Sequence, residues 1–479
     1  MEQHNQQLEE EILSGLNTEQ SDVFKECIHG NSSVFCTGKG GTGKSRLTES
    51  IIKYLRSAQF SNPHQVGVTA STGVAAYLIK GITLHRFAGI GITEDDKDQM
   101  YTKASKGKSM QYWTNTDVLI IDEISMISAQ LFDNLSYVAQ KIRQSNRPFG
   151  GIKILMFGDF LQLPPVSRKI IRVPRVFEGD AWKQINPVIF TLNTVMRQDD
   201  SLFTEMVSKI RIGDCSDEVC QYFDSLSRDV NYNDGIEPVR LYSLRATTDD
   251  YNQSKLNDLN GQLRTYESTD TGDAGSLSQC PAPKTLKMKN GSQVMLTRNI
   301  GGSAVNGSIG TVIGFKYVRE MGSFQPLVRF IGHDGKSFVM SISKFKWETI
   351  APNGAVTSSR SQVPLILAWA ITIHESQGQT IPRLYVDLSR VFEYGQAYVA
   401  LSRCTDPSSL QVVNFTKDAV KVDAKCLEYY EPSQDNPATN VAPSTRRSWG
   451  NNTADTLRML GHLSIRETSA CLNQDSETS

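Results

Sequence analysis

The sequence predicts an α/β chain with two parallel-sheet regions and one antiparallel insertion, and three patterns predict it. Short apolar runs ending in Gly, Asp or Thr alternate with helical periodicity through the first 200 residues, and a second such set follows up to residue 413. Within the second set, residues 286–350 break into short runs punctuated by Gly and Asn. Alternation of strands with helices marks an α/β sheet, whereas closely spaced runs separated by turn residues mark antiparallel strands.

In chain order, the first buried strands are Val34-Phe-Cys-Thr37, Val66-Gly-Val-Thr69, Val118-Leu-Ile-Ile121 and Ile152-Lys-Ile-Leu-Met-Phe157. They are apolar along their whole length, as strands covered on both faces must be. Leu47, Ile51, Ile52 and Leu55 fall on one face of a helix. The second set is read at 188–192, 239–244, 383–388 and 410–413. Gln293-Val-Met-Leu296, Gly310-Thr-Val-Ile-Gly314 and Leu327-Val-Arg-Phe330 make the insertion, expected to be a small β barrel. From about residue 431 the chain turns rich in Pro, Ser, Asn and Thr, and this tail is expected to be disordered.

Composition narrows the function. The 479 residues allow about three domains. With 39% hydrophobic and 21% charged residues, a fibrous or wholly disordered chain is excluded. Fifty Lys and Arg balance 51 Asp and Glu, so no global positive field attracts a polyanion and a nucleic-acid site must be a local groove. No run approaches the roughly 20 apolar residues that span a bilayer, and the start lacks the pattern of a signal peptide. A soluble, intracellular protein with no membrane partner is expected, with no extra targeting domain and with its compartment open. The eight Cys are scattered without a Cys-x-x-Cys pair, the pattern of buried reduced thiols.

Gly38-Lys-Gly-Gly-Thr-Gly43-Lys44-Ser45 follows the first strand and opens a helix, the context that a phosphate-binding loop requires. Its glycines, Gly38, Gly40, Gly41 and Gly43, with Thr42, let backbone N–H groups face phosphate oxygens. Lys44 balances charge on the β and γ phosphates, and the Ser45 hydroxyl binds Mg²⁺. Strand 118–121 then delivers Asp122 and Glu123. Asp122 suits Mg²⁺ coordination and Glu123 is placed to orient and deprotonate water. A helix cap explains one such acid but poorly explains the pair beside this loop. Gly158-Asp159-Phe-Leu-Gln162-Leu-Pro-Pro165 follows the next strand, with Gln162 placed to touch the γ phosphate; a rigid turn accounts only for its prolines. Together these residues read as a nucleoside-triphosphate-hydrolysing site, a pattern that many P-loop proteins share.

At this density of motifs the chain resembles superfamily one helicases of the Pif (petite integration frequency) family, relatives of RecD. The resemblance covers nearly residues 16–415. It rests on Leu16-Asn-Thr-Glu-Gln20, Thr69-Ala-Ser-Thr-Gly-Val-Ala-Ala76, Gly81-Ile-Thr-Leu-His85, the segments from Asp122, Arg147 and Gly158, Met196-Arg-Gln198, Ala370-Ile-Thr-Ile-His-Glu-Ser-Gln-Gly378 and Gln396-Ala-Tyr-Val-Ala-Leu-Ser-Arg403. It implies an ATP- and Mg²⁺-dependent DNA helicase moving 5′ to 3′ on single-stranded DNA and opening forked duplex, in replication, repair or recombination. The implied fold has two RecA-like P-loop domains: 1–184, carrying a wedge at about 85–113, and 185–285 with 351–430, interrupted by an SH3-like barrel at 286–350.

By the same resemblance Gln20 reads the adenine, and Arg197 and Arg403 reach the γ phosphate as arginine fingers. Ser71, Thr72, His85, Thr372, His374 and Ser376 lie in segments similar to the family's DNA-facing motifs. For any one of these six, a cap or a core hydrogen bond is an equally good reading. Glu375 replaces the family's usual Lys beside the DNA path, where an acid either points away or weakens the contact. Two further readings compete: an ATPase translocase or RecD-like accessory subunit that does not unwind, and a nucleotide-gated binding protein without turnover. The intact residues Lys44, Asp122, Glu123, Gln162, Arg197 and Arg403 speak against the last.

Overall fold

The computed structural model describes residues 2–60, 65–90, 96–165, 172–196, 200–230, 232, 234–272, 277, 280–301, 304–331, 337–350 and 356–431. Arg197 and the tail expected to be disordered, beyond residue 431, lie outside these.

Two parallel sheets make a mixed α/β fold. In the first, six strands run in the spatial order Ile82–Thr83, Val66–Ala70, Val118–Asp122, Lys153–Phe157, Val34–Gly38, Val188–Leu192. Alternate side chains leave opposite faces of a strand. Thus Val34, Cys36, Val118 and Ile120 enter one core with Leu47, Ile51 and Leu55, while Phe35, Leu119 and Ile121 enter another with Phe132, Phe160 and Trp182. The continuous apolar runs follow from this two-sided burial. Helix Lys44–Tyr54 buries Leu47, Ile51 and Ile52 as its periodicity predicts.

The second sheet has the order Ala370–Thr372, Val239–Tyr242, Leu384–Asp387, Leu410–Val413, all parallel. Helix Ser201–Arg211 packs Phe203, Met206, Val207 and Ile210 into the core of this lobe.

Two segments depart from the expected division. Val188–Leu192, read as the first strand of the second sheet, pairs parallel with Val34–Gly38 in the first. A short apolar run does not specify its partner, because strand pairing is non-local. Helix Ala424–Tyr430, expected in the second domain, returns to the first lobe, where Cys426, Tyr429 and Tyr430 join Phe35, Phe160 and Trp182. There Tyr429 stacks on Phe177 at 4.3 Å between ring centroids.

The insertion is antiparallel as expected but reaches past 286–350. Five strands, Ser337–Ser341, Ser323–Ile331, Ile309–Val318, Gln293–Leu296 and Leu365–Leu367, form one sheet. Phe345–Ile350, Val356–Gln362 and Thr269–Gly272 form a second, and Thr285–Met288 with Arg264–Glu267 a third. The first and third share a small core of Leu286, Met288, Val294, Leu296, Val312 and Phe330. The three sheets do not join into a closed hydrogen-bonded ring among the described residues. The region expected as a wedge is helical, at Leu84–Ala88, Lys97–Ala104 and Gly107–Asn115, and it plants Phe87, Met100 and Trp113 in the first lobe's core. The seven cysteines among the described residues are all free. No helix among the described residues is long and apolar enough to cross a membrane.

Candidate nucleotide cleft and nucleic-acid groove

The phosphate loop leaves the carboxyl end of strand Val34–Gly38, where open α/β sheets bind ligands. Gly41 and Gly43 adopt φ of +84° and +81°, a region that costs any residue with a Cβ. At Gly43 a Cβ would also come within 2.5 Å of the Gln20 amide nitrogen. Helix Lys44–Tyr54 begins immediately after it, so free N–H groups of its first turn face the loop. The Lys44 Nζ donates to the carbonyl oxygens of Gly38 at 2.7 Å and Lys39 at 3.0 Å. Burial draws its pKa below the usual lysine value, against the pull of Asp159 and Glu123. Thr42 is buried, Gly40 and Gly41 are half-buried, and Ser45 is exposed on the helix's first turn.

Gln20 is fully buried and its amide braces this loop. Its Nε2 donates to the Thr42 carbonyl at 3.1 Å, and its Oε1 accepts from the Asn17 N–H in a capping box that starts helix Thr18–His29.

Asp122 ends its strand and Glu123 turns into the left-handed region at φ +52°, strain of the kind kept at functional sites. The Asp122 carboxylate accepts from the Glu123 N–H at 2.9 Å. Burial, and then the charge of Glu123, push Asp122 up to about 7. Burial also raises Glu123, against the pull of Lys44 and Arg403. Two neighbouring buried acids short of positive charge fit a divalent cation. No cluster of three metal-ligating side chains occurs among the described residues, and magnesium commonly takes only one or two carboxylates together with phosphate and water.

The second lobe closes the cleft. A Cβ placed on Gly40 would lie 3.5 Å from the Tyr398 hydroxyl and 3.6 Å from an Arg403 guanidinium nitrogen. Tyr398 accepts the Gly40 N–H at 2.8 Å. Arg403 is buried, donating to Val399 O at 2.8 Å and Ser402 Oγ at 2.8 Å. Met196, the neighbour of Arg197, donates its N–H to Gly41 O at 2.9 Å. Gln162 is buried under the second lobe, its carbonyl 2.5 Å from where a Cβ on Gly395 would sit. The structure therefore gathers Gln20, Lys44, Glu123 and Arg403 around one loop, while Gln162 is buried against Gly395 of the second lobe.

A cavity of about 1630 Å³ runs between helix Lys44–Tyr54, helix Gly73–Leu78, the antiparallel insertion and the 374–379 turn. Eight Lys and Arg line it against four Asp and Glu, with Tyr77 and Trp347 among its aromatic walls. This lining is locally positive although the whole chain is close to neutral. Thr72, His374 and Glu375 line it; Ser71, His85, Thr372 and Ser376 do not. Thr72 Oγ1 caps helix Gly73–Leu78, and the Ser376 hydroxyl, fully buried, donates to Ile373 O at 2.7 Å. Glu375 turns its carboxylate back onto its own turn, accepting from the Thr372 N–H at 3.1 Å and hydroxyl at 3.0 Å. Burial lowers the pKa of His374, which favours the uncharged ring.

Sequence reasoning passed over Gln377, whose Nε2 donates to Glu123 at 2.8 Å from across the cleft, and Tyr398. Both lie in segments that carried the resemblance, so proximity to those motifs was the available signal. Arg211 and Tyr430, which meet at Asp159, carry no such signal.

Comparison with known proteins agrees with this geometry. Residues 15–221 match the family PIF1-like helicase and residues 276–315 match DNA helicase Pif1, 2B domain. The human ATP-dependent DNA helicase PIF1 is 40% identical over 421 residues, 87% of this chain and 63% of the relative. The crystal structure of Pif1 helicase from Candida albicans is 40% identical with a TM-score of 0.71, covering 87% of this chain and 98% of that one. The crystal structure of Bacteroides Pif1 bound to ssDNA is 26% identical with a TM-score of 0.60, covering 87% and 96%. The chain spans 62%, 56% and 63% of the length of three curated relatives. With a solved homologue matched along nearly its whole length at this identity, the chain belongs to the PIF1-like helicase family.

Proposed function

We propose that the chain is an ATP-dependent DNA helicase that moves 5′ to 3′ on single-stranded DNA. The observation that carries this reading is the approach of Arg403 and Tyr398, from the second lobe, to Gly40 of the phosphate loop. In this reading the two parallel-sheet lobes are RecA-like domains that grip one ATP. Gly38, Gly40, Gly41, Thr42 and Gly43 cradle its phosphates through the backbone, and Lys44 balances their charge. Glu123, held by Gln377, orients the attacking water and takes its proton. Gln162 senses the γ phosphate. Arg403, with Arg197, stabilises charge that develops on the transferred phosphoryl group. Ser45 and Asp122 would hold Mg²⁺, which supplies charge neutralisation on the β and γ oxygens. Gln20 braces the loop beneath the base, its Nε2 shared between Thr42 O at 3.1 Å and Met196 Sδ at 3.7 Å, and reads the adenine by exchanging the weaker sulfur contact for the base.

The basic groove is the proposed path for single-stranded DNA, with Thr72 and His374 nearest to it. That a Bacteroides Pif1 relative binds ssDNA supports a single-stranded substrate. Ser71, His85, Thr372 and Ser376 then act as supports of that wall. Residues 85–113 are assigned as the wedge and the antiparallel insertion as the SH3-like element. Separating a base pair costs roughly 1.4 kcal/mol per step, well within one ATP.

The test is ATP hydrolysis with and without single-stranded DNA, joined to strand separation on 5′-tailed and 3′-tailed duplexes. DNA-stimulated hydrolysis with opening of the 5′-tailed substrate supports the reading. Stimulation without opening of either substrate leaves a translocase, and absence of stimulation rejects both.

A further inference from the structure

We propose that the turn at residues 159–163 couples the two lobes and that Arg211 is its positioning residue, setting Gln162 and the phosphate loop according to where the second lobe sits. The inference rests on the helicase reading and adds to it a residue that none of the motifs contains.

The turn is shared between the lobes residue by residue. Phe160 and Leu161 are buried in the first lobe's core, and Leu163, two positions on, is buried in the second's. Asp159 opens the turn with no exposed surface. Its carboxylate accepts the Leu161 N–H at 3.2 Å and its carbonyl accepts the Gln162 N–H at 3.0 Å, so displacement of Asp159 displaces Gln162.

Arg211 reaches this carboxylate from the last residue of helix Ser201–Arg211, whose apolar face belongs to the second lobe. It donates through Nε at 2.9 Å and Nη2 at 2.8 Å, one bond to each carboxylate oxygen. Two-pronged pairing fixes the angle as well as the distance between two groups, which a lysine would not do. Burial works to raise the Asp159 carboxyl, and the Arg211 charge and hydrogen bonds outweigh it, holding it below the usual carboxylate range. The ion pair is therefore made even though both partners are dry.

Tyr430 roofs the pair. Its ring lies 5.4 Å from the Arg211 guanidinium. Its hydroxyl accepts the Phe160 N–H at 3.1 Å, lies 2.7 Å from Thr37 Oγ1 in the strand that leads to the phosphate loop, and is 3.4 Å from Asp159. A shift of the second lobe thus reaches Gln162 through Asp159 and the base of the loop through Tyr430.

Arg211→Gln alone would leave a buried carboxylate uncompensated, so the test uses the full chain carrying D159N together with R211Q, which removes both charges and keeps hydrogen-bonding groups of similar shape. Measured against each variant's own DNA-free kcat, the increase in ATP kcat on adding oligothymidine should fall by about tenfold, the scale of a coupling between sites. R211K, which keeps the charge and loses the fork, should show the same loss in smaller measure. If oligothymidine does not raise turnover in the wild-type chain, the helicase reading fails before the variants are consulted. If wild type responds and both variants keep the response within about twofold, the proposal is overturned. Should the paired variant not fold, R211K decides by the same criterion.

Discussion

The nucleotide cleft and the groove meet at the same two lobes, yet they handle charge in opposite ways. In the cleft, Asp122, Asp159, Arg211 and Arg403 are dry and Glu123 is half-buried, and each is held by hydrogen bonds or by a neighbouring charge. In the groove, Lys53, Lys346 and Lys80 are exposed along a channel of about 1630 Å³, the first two in surface ion pairs with Glu11 at 3.1 Å and Glu348 at 2.7 Å. A dry site with fixed donors is strong and directional, suited to one phosphoryl transfer. A wet, positively charged channel attracts any backbone and releases it again. The difference teaches that chemistry and grip are separable, and substitutions should separate them.

The largest effect is expected inside the cleft. Lys44→Ala should lower kcat/KM for ATP by about a thousandfold or more, since it removes a charge from a site without water to replace it. Glu123→Gln should bind ATP and turn over about a hundredfold to a thousandfold more slowly. Either variant with wild-type turnover in a steady-state phosphate-release assay would break the comparison on the cleft side.

Glu123→Gln also has a signature without ATP. The folded chain holds a proton on Asp122 up to about 7, whereas an unfolded aspartate releases it near 4. The folded state thus binds more protons between these values, and its stability falls as pH rises through the window. Burial is the first cause and remains in the variant; the Glu123 charge is the second and does not. The nucleotide-free variant should therefore melt at a higher temperature than wild type at pH 8 and nearly with it at pH 4.5. An equal difference at both pH values would contradict the charge deficit.

The groove should give the smallest effects. Arg298→Ala and Lys346→Ala should each weaken single-stranded DNA binding a few-fold and reduce the slope of log affinity against log salt by about 0.7, with ATP affinity unchanged. Fluorescence anisotropy over a salt series measures this, and a loss of ATP affinity of the same size would merge the two regions.

Legibility in the sequence follows the same division. The cleft's first wall was readable because its residues are neighbours in the chain: Gly38 to Ser45, the pair Asp122 and Glu123, and Gln162 each sit where a buried strand ends. Arg403 was reached only through resemblance, since a single arginine has no spacing to recognise. Arg211 and Tyr430 lie 52 and 271 residues from Asp159, and nothing local announces such a meeting. The same non-locality hid the pairing of Val188–Leu192 with Val34–Gly38 and the return of helix Ala424–Tyr430 to the first lobe. The need for a local groove follows from charge balance, but at least four separate regions of the chain supply the walls of this one. Hydroxyls at Thr372 and Ser376 that motif position assigned to DNA are spent on their own turn, which only side-chain geometry reveals.

The central claim is that the second lobe supplies charge to a phosphoryl group held by the first, and the affinity of Arg403→Ala for two ligands tests it. Binding of ADP should stay within about threefold of wild type, while binding of ADP with aluminium fluoride, which mimics the transferring phosphoryl group, should weaken by about a hundredfold. Equal affinities for that analogue in variant and wild type, or equal losses for both ligands, would contradict it.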